Sequence, residues 1–381
     1  MVSSNVNALG IIFPNSYDSV VPELVTERLM ASIPFASRYR MIDFVLSDMV
    51  NSGISNVSII VRKNYHSLMD HLGSGREWDL SRKKGGLNIL PPFAKKATKV
   101  YHGRIEALAS MLSFLRSQKE KYVVMADSHI AANFDFKAMI QHHIDTGADV
   151  TIAYTRWDLT PQAKERNVEN GDLYYALQMT EDQRVTDMEI NSKTDETCNL
   201  SMNIYVIDRE LLISQIEQAY VKGYVFYERD ILIPNLDTIN VQGYEFSGYL
   251  ALVSSMNSYF AENMRLLNEE NADALFAGNS IYTKIRDDNP TRYTTDAVVK
   301  NIMAADGCVI EGEVENSILF RGVHVKKGAV VKNCILMQDT VVEADARAEY
   351  VITDKNVTIT QGQEVQGTKN YPVYVAKHKK V

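Results

Sequence analysis

Apolar side chains recur every six positions in the carboxy-terminal part of the chain, and this spacing strongly constrains the fold. Two rows at this interval are Val325, Val331 and Met337, and Ala329, Ile335 and Val341. A six-residue period is typical of a parallel β-helix, because each short side of a coil stacks its apolar residue on that of the next coil. We therefore predict a left-handed parallel β-helix over residues 301–381. The alternative is an antiparallel sheet with irregular turns.

Residues 1–255 show a different pattern, in which short β-branched runs alternate with longer helical stretches. The runs predicted as strands include residues 57–61 (VSIIV), 122–125 (YVVM), 150–154 (VTIAY) and 204–207 (IYVI). Segments 41–51 and 105–115 have the apolar spacing of helices. This alternation predicts an α/β domain with a Rossmann-like, mostly parallel sheet. Residues 256–300 are predicted to form one helix and a polar linker between the two domains.

Charge and composition limit the partners that the chain can bind. Its 381 residues carry a formal net charge of −8 at pH 7, whereas nucleic acids and anionic membranes require a basic protein surface. The apolar run at residues 8–13 is too short for a signal-peptide core, and no segment approaches the roughly 20 apolar residues that span a bilayer. The three cysteines are unclustered, which excludes a disulfide framework or zinc spacing. We expect a cytoplasmic protein that binds small molecules or other protein chains.

One acidic residue has the position of a site residue in such a fold. Asp127 follows the predicted strand at residues 122–125 almost directly, and ligands of open α/β sheets bind at the carboxyl ends of the strands. An acid after a strand is equally often a turn residue or a helix cap. Both interpretations of Asp127 are open from this pattern alone.

Two long stretches carry a family resemblance. Residues 34–53 (PFASRYRMIDFVLSDMVNSG) and 73–92 (GSGREWDLSRKKGGLNILPP) closely resemble bacterial ADP-glucose pyrophosphorylase (glucose-1-phosphate adenylyltransferase), and within that family the noncatalytic, regulatory GlgD-type subunits. The resemblance covers both predicted domains. It implies that residues 1–255 form a nucleotidyltransferase domain that is followed by the β-helix.

The segments that bind the triphosphate in catalytic members of this family are altered here. Their glycine-rich loop resembles GGxGxRL, whereas residues 9–16 read LGIIFPNS and keep Gly10 alone. Phe13 is bulky and Pro14 lacks an amide hydrogen, so this loop is not suited to cradle phosphates. Met30 stands where the family's KPxVPF segment has its lysine. The resemblance therefore predicts a dismantled triphosphate site.

The resemblance also implies where Mg²⁺ would bind, because catalytic members hold it with two aspartates. The first belongs to an SGDH segment, which here reads ADSH at residues 126–129. Either Asp127 supplies that carboxylate from a shifted position or Ser128 has replaced it. The second belongs to GYWxDVGT, which aligns with GYLALVSS and places Leu252 at the carboxylate. Asp127 is thus predicted to be a catalytic and metal residue of a degenerate site, because Leu252 cannot bind a hard cation.

Four residues correspond to the family's sugar-phosphate site. Tyr101 and Gly103 match a YxGTADA segment in YHGRIEA, where Arg104 stands at the threonine. Lys193 is the nearest candidate for the lysine of FxEKP, and Asp230 in YERDILIP matches the acid of FGKDIIP. We predict partial sugar-phosphate contacts from these residues.

Basic residues near the predicted domain boundary suggest an effector site. We take Arg28, Arg38 and Arg40 as candidates for binding a sugar phosphate or phosphate effector, because arginine forks suit phosphate oxygens. Further candidates on the predicted β-helix are Arg321, Lys326 and Lys327. The alternative is that these are scattered, solvated charges.

Two functions follow from the resemblance. The first is a regulatory, catalytically impaired subunit for ADP-glucose synthesis in glycogen formation, which works with a catalytic paralogue in a hetero-oligomer such as a tetramer. The second is a low-activity glucose-1-phosphate adenylyltransferase that uses Mg²⁺, ATP and glucose 1-phosphate. If the chain is inactive, no cofactor is expected. A purely interacting, transferase-like module is a third class that fits the sequence less well.

Overall fold

The computed structural model describes residues 6–91, 101–158, 174–192 and 197–381. The strands of its amino-terminal unit are β1 (Ala8–Phe13), β2 (Pro34–Phe35), β3 (Tyr39–Arg40), β4 (Asn56–Ile60), β5 (Gly86–Leu90), β6 (Tyr122–Asp127), β7 (Ile130–Ala132), β8 (Val150–Asp158), β9 (Tyr175–Met179), β10 (Val185–Ile190), β11 (Thr197–Asp208), β12 (Val241–Glu245) and β13 (Leu250–Leu252). The α-helices are α1 (Met41–Asn51), α2 (His66–Leu72), α3 (Arg104–Ser110), α4 (Leu112–Ser117), α5 (Phe136–Asp145), α6 (Arg209–Val221), α7 (Ile233–Asn235), α8 (Met256–Arg265) and α9 (Glu269–Phe276).

The main sheet is parallel at its centre and mixed at one side. Strands β5, β4, β1 and β6 lie side by side in parallel, whereas β11 runs antiparallel to both β6 and β8. The predicted α/β architecture is confirmed, and the predicted helix at residues 41–51 has the bounds of α1. The helix predicted at residues 105–115 is divided into α3 and α4 at Met111.

Strand β1 lies in the middle of this sheet because both of its faces are apolar. Its alternate side chains belong to two separate cores, with Ile12 on one face and Ile11 on the other. Gly10 faces α1 so closely that a Cβ atom there would lie 2.7 Å from Sδ of Met49. The one glycine of the β1 segment therefore permits close helix packing.

The carboxy-terminal unit is a parallel β-helix, as predicted. Its strands are β14 (Arg292–Tyr293), β15 (Val298–Ala304), β16 (Val309–Ile310), β17 (Glu313–Leu319), β18 (His324–Val325), β19 (Val330–Lys332), β20 (Ile335–Leu336), β21 (Val341–Val342), β22 (Arg347–Glu349), β23 (Val351–Thr353), β24 (Thr358–Ile359), β25 (Glu364–Gln366) and β26 (Val373–Val375). His324 pairs with Val341, which pairs with Thr358, so equivalent residues of successive coils are 17 positions apart. The predicted row of Val325, Val331 and Met337 is buried.

A buried interface joins the two units. An apolar cluster there combines Phe35 and Phe44 of the first unit with Phe320 and Met337 of the β-helix. Beside it, Nη2 of Arg28 donates to both carboxylate oxygens of Asp354, at 2.6 and 2.8 Å. Helices α8 and α9 lie in the stretch predicted as helix and linker, which also contains β14 and the start of β15. The two units therefore share one continuous core.

Two further observations concern the predicted environment of the protein. No helix in the described part of the chain is long and apolar enough to cross a lipid bilayer. Cys198, Cys308 and Cys334 are all free thiols.

Candidate functional site

A cleft opens at the carboxyl ends of the central strands. Phe13, the last residue of β1, is in register with Asp127, the last residue of β6. The start of α3, with Gly103 and Arg104, closes one side, and Glu228 closes another. The enclosed cavity measures about 190 Å³. Asp127 therefore lies where ligands of α/β sheets bind.

The loop after β1 is held by its own side chains instead of presenting open backbone amides. Oδ1 of Asn15 accepts a hydrogen bond from the backbone N–H of Arg62 at 3.1 Å, and the Arg62 guanidinium donates to the Asn15 carbonyl at 2.6 Å. The ring of Tyr17 stacks on His129 with centroids 3.8 Å apart, and its hydroxyl accepts from Asn203. The loop thus uses for packing the space that a glycine-rich loop leaves open for phosphates.

Arg104 occupies the interior of the cleft. One Nη atom donates to Oδ2 of Asp127 at 2.8 Å, and the other donates to Oε1 of Glu228. The guanidinium lies 4.9 Å from the ring centroid of Phe13 and 5.2 Å from that of Tyr205. The side chain of Arg104 is 9% exposed and that of Asp127 is 2% exposed. A buried ion-pair network therefore fills the centre of the site.

The two acids of this network also accept hydrogen bonds from neighbouring hydroxyl groups. Oδ1 of Asp127 accepts from the Ser16 hydroxyl at 2.7 Å, and Oε1 of Glu228 also accepts from the Tyr205 hydroxyl at 3.0 Å. Burial opposes the charge of Arg104, but the two carboxylates outweigh it and raise its pKa well above the ordinary value. The guanidinium therefore remains charged across the pH range in which proteins are stable.

The residues predicted to bind a metal do not provide a ligand set for Mg²⁺. Of the two candidates in the ADSH string, Asp127 lines the cavity, whereas the Ser128 hydroxyl is buried without a hydrogen-bond partner. Leu252 is buried in the apolar core on β13, opposite Ile130 of β7. Residues 6–91, 101–158, 174–192 and 197–381 contain no group of three or more His, Cys, Asp or Glu side chains that could hold a metal ion. Asp127 is therefore a single carboxylate that is already paired with Arg104.

The predicted sugar-phosphate residues have separate positions. Gly103 lines the cleft and packs so tightly that a Cβ atom would lie 2.2 Å from the Val225 carbonyl. The carbonyl of Tyr101 accepts from Arg62 at 3.0 Å. Asp230 is not among the residues that line the cavity. Its carboxylate accepts a hydrogen bond from the backbone N–H of Val225 at 2.9 Å and so stabilises the local backbone. Lys193 lies outside the described residues.

A second cavity, of about 300 Å³, lies between the two units. Its charged lining residues are Arg38, Arg40, Lys284, Arg286, Arg321, Lys355 and Asp70. Within the described residues, six basic side chains thus line this interdomain pocket together with one carboxylate. Lys284 pairs with Asp70, and Asp288 beside the pocket lies 3.2 Å from Arg286 and 3.9 Å from Arg321. The six basic groups still outnumber these two acids, so the pocket has an excess of positive charge.

Burial and neighbouring charges lower the pKa values of several basic groups in the interdomain pocket. Burial lowers the pKa of Lys355 to about 7, and repulsion by Arg40 and Arg28 adds to the effect. Burial likewise lowers the pKa of Arg40 to about 10. Arg321 has a lowered pKa because of burial and the nearby charges of Arg38 and Arg286, and its Nε atom has no hydrogen-bond partner. Such a lining favours the binding of an anion.

The predicted effector residues are divided between this pocket and other contacts. Arg38 and Arg40 line the interdomain pocket, and so does Arg321. Arg28 instead forms the buried pair with Asp354. The two lysines predicted with them pair with other β-helix or linker acids, Lys326 with Glu343 and Lys327 with Asp296.

Comparison with known proteins supplies the family. The nucleotidyl transferase model matches residues 24–217, and a GlmU-like C-terminal hexapeptide model matches residues 285–370. The glycogen biosynthesis protein GlgD of Bacillus subtilis (strain 168) is 34% identical over 98% of this chain and 96% of its own length. The chain belongs to the GlgD family of glycogen biosynthesis proteins.

Other relatives agree with this assignment. GlgD of Geobacillus stearothermophilus is 37% identical over 86% of this chain and 83% of that protein. A glucose-1-phosphate adenylyltransferase of Clostridium perfringens (strain SM101 / Type A) is 29% identical over 82% of this chain and 79% of that protein. The similarity to an adenylyltransferase thus extends over most of this chain.

Sequence reasoning missed several residues of this GlgD-family site. Glu228 was not singled out, although it stands at the glycine of the FGKDIIP pattern and closes the ion-pair network. Lys284, Arg286 and Lys355 were also missed, because they reach the interdomain pocket from separate segments. The exchange of a glycine for an acid at Glu228, together with the arginine at position 104, was the signal that could have revealed the network.

Proposed function

We propose that this chain is a regulatory, catalytically impaired subunit of glucose-1-phosphate adenylyltransferase, acting in ADP-glucose synthesis for glycogen. The observation that carries the proposal is Arg104, which fills the cleft between Asp127 and Glu228. A transferase that joins ATP to a sugar phosphate needs a bound metal and room for the triphosphate. The match to GlgD proteins over nearly the whole chain supports the same function.

The proposed partner is a catalytic paralogue in a hetero-oligomer, for example a tetramer. This chain would act by packing against the catalytic subunit and favouring one of its states, which changes the affinity of that subunit for substrates. The continuous core between the transferase unit and the β-helix supports such a role, because a shift in the position of one unit must be accompanied by a shift of the other. We also propose a cytoplasmic location, where free thiols such as Cys308 remain reduced.

The proposed effector is a phosphate or a sugar phosphate, bound in the interdomain pocket. Six basic side chains converge there, and Nε of Arg321 has no hydrogen-bond partner, although it lies 3.9 Å from Asp288. An anion in this pocket would contact groups from both units, including Arg40 and Lys355. It would therefore stabilise their present arrangement relative to any arrangement in which the pocket is open.

Pyrophosphate release from ATP, glucose 1-phosphate and Mg²⁺ tests this function. The assay compares the chain alone, the catalytic paralogue alone and the two together, with complex formation followed by size-exclusion chromatography. We expect no release by the chain alone and a changed rate or effector response in the mixture. No complex and unchanged kinetics of the paralogue would contradict the proposal.

A second candidate function is a low-activity adenylyltransferase, and the position of Asp127 in the cavity lining favours it. In this case Asp127 would be its remaining metal ligand and Mg²⁺ its cofactor. Turnover by the chain alone that disappears in Asp127→Ala would support an enzyme. Turnover that persists unchanged in this variant would indicate a contaminating transferase.

A further inference from the structure

Both carboxylates of the cleft accept hydrogen bonds from groups of the chain itself. Both oxygens of Asp127 accept hydrogen bonds, Oδ1 from Ser16 and Oδ2 from Arg104. Glu228 contacts the same guanidinium and the Tyr205 hydroxyl. Mg²⁺ and Mn²⁺ prefer such hard oxygens as ligands, but here a guanidinium already pairs with both carboxylates.

Arg104 is held in this place from several directions. Gly103, immediately before it, packs against the Val225 carbonyl without room for a Cβ atom. The rings of Phe13 and Tyr205 flank the guanidinium within about 5 Å. The contacts therefore fix both the backbone and the head group, so Arg104 is a built part of the site and not a side chain that happens to lie across it.

We propose that Arg104 is a built-in cation that takes the place of a divalent metal ion, and that Asp127 and Glu228 can bind one when Arg104 is removed. This inference deepens the proposed function. It rests on that function in one respect, namely that the cleft does not bind a metal–nucleotide complex. In the resembling catalytic members the position of Arg104 is a threonine, which can neither pair with these acids nor fill the cavity. The arginine at position 104 and the acid at position 228, which stands at a glycine of the family pattern, together set the charge balance of the cleft.

The test measures Mn²⁺ binding and thermal unfolding of the full chain alone. Electron paramagnetic resonance counts bound Mn²⁺ in the wild type, in Arg104→Thr, and in a charge-free control with Arg104→Thr, Asp127→Asn and Glu228→Gln. We expect bound Mn²⁺ in Arg104→Thr only. In EDTA its melting temperature should fall by roughly 4–6 °C, as expected for the loss of a buried counterion in a chain of this size, and MnCl₂ should restore most of this loss.

Three results would overturn the proposal. One is Mn²⁺ bound by the wild type and lost in Asp127→Asn, a variant in which the pair between Arg104 and Glu228 remains. Another is Arg104→Thr that folds but binds no Mn²⁺. The third is Arg104→Thr that does not fold even when MnCl₂ is present throughout purification. Because no partner or substrate is used, these outcomes are independent of the pyrophosphate assay.

Discussion

The cleft and the interdomain pocket are both lined by charges, but they balance these charges in opposite ways. In the cleft, Arg104 pairs with both Asp127 and Glu228 through direct contacts. In the interdomain pocket, six basic groups meet Asp70 as the one lining acid among the described residues, and Asp288 lies beside Arg286 and Arg321. The basic groups therefore outnumber the acids, and we propose that an anion from outside the chain balances the excess charge.

This difference indicates which site still responds to the surroundings. An internally paired site gains little from a ligand, because the ligand must first displace a buried ion pair. A site with repelling charges gains from any suitable counterion. The ion-pair network of the cleft fits a structural role, and we propose that the interdomain pocket is the site at which this chain binds a ligand.

The largest expected effect breaks the balance of the cleft. Arg104→Ala leaves two buried carboxylates without their counterion, and we expect a loss of about 3–5 kcal/mol in the free energy of unfolding. Urea denaturation measures it. The matched control is Arg116→Ala, which removes an exposed ion pair with Glu217 and should cost at most about 1 kcal/mol. Equal losses in the two variants would show that the cleft network is not specially stabilising.

The next effect completes the interdomain pocket. Sulfate, which stands in for a phosphate group, should stabilise the wild type by about 2.7 kcal/mol at a hundred times its dissociation constant. Arg38→Gln should weaken this effect, since Arg38 lines the pocket with an exposed side chain. Thermal unfolding in a sulfate titration at constant ionic strength measures both. The control is Lys300→Gln, which changes an exposed lysine outside the pocket. An equally large loss of stabilisation by sulfate in this control would show that sulfate acts by general charge screening and not by binding in the pocket.

A smaller effect concerns pH. The pKa of Lys355 is lowered to about 7 by burial and by Arg40 and Arg28, and a bound anion would raise it again. Binding above pH 7 must therefore take up a proton, so sulfate affinity should be highest below pH 7 and fall several-fold by pH 8.5. Calorimetric titration measures it.

The matched variant for this pH effect is Lys355→Met. It should bind sulfate more weakly, with most of the pH dependence gone. The buried His71 also lines the pocket. Its Nε2 atom lies 2.5 Å from Oδ1 of Asp43. A pH dependence that is unchanged in Lys355→Met would contradict the assignment of the titration to Lys355, because burial lowers the pKa of His71 and removes it from this pH range.

The smallest expected effect is a change in the free energy of unfolding whose sign differs between the two sites. Without an anion, Arg38→Gln relieves repulsion among the basic groups around Arg321. We expect the free energy of unfolding to rise by a few tenths of a kcal/mol at low salt, whereas the same kind of change at Arg104 lowers it. Urea denaturation at low and high salt checks the difference, which should vanish as salt screens the charges. A loss of stability in Arg38→Gln would contradict the assignment of an uncompensated pocket.

The fold was largely predictable because its signals are local and repeated. The six-residue rows led to the β-helix since each coil repeats the burial of the last, as Val325 and Val342 illustrate. Helix α1 matched its predicted bounds, helped by Asp43, which accepts from the backbone N–H of Arg40 at 2.9 Å. The break at Met111 was not predictable, because an apolar spacing that continues through a residue does not report its backbone conformation.

The site was predictable only where a residue's place followed from the sheet. Asp127 was expected at the carboxyl edge, and β6 places it there. Its pairing with Arg104 and Glu228 could not be foreseen, because the three residues come from a strand, a helix start and a turn that are far apart in sequence. The predicted metal and sugar roles of Asp127, Tyr101, Gly103 and Asp230 stay predictions, as does that of Lys193.

The pair between Arg28 and Asp354 also has a consequence for the synthesis of the chain. Its two members are separated by 326 positions, so Arg28 leaves the ribosome long before its partner exists. Until then its guanidinium stays hydrated, since burial of an unpaired charge is costly. The contact surface of the two units therefore closes as a late event in the life of each nascent chain, and a product that stops before residue 354 carries an unsealed face.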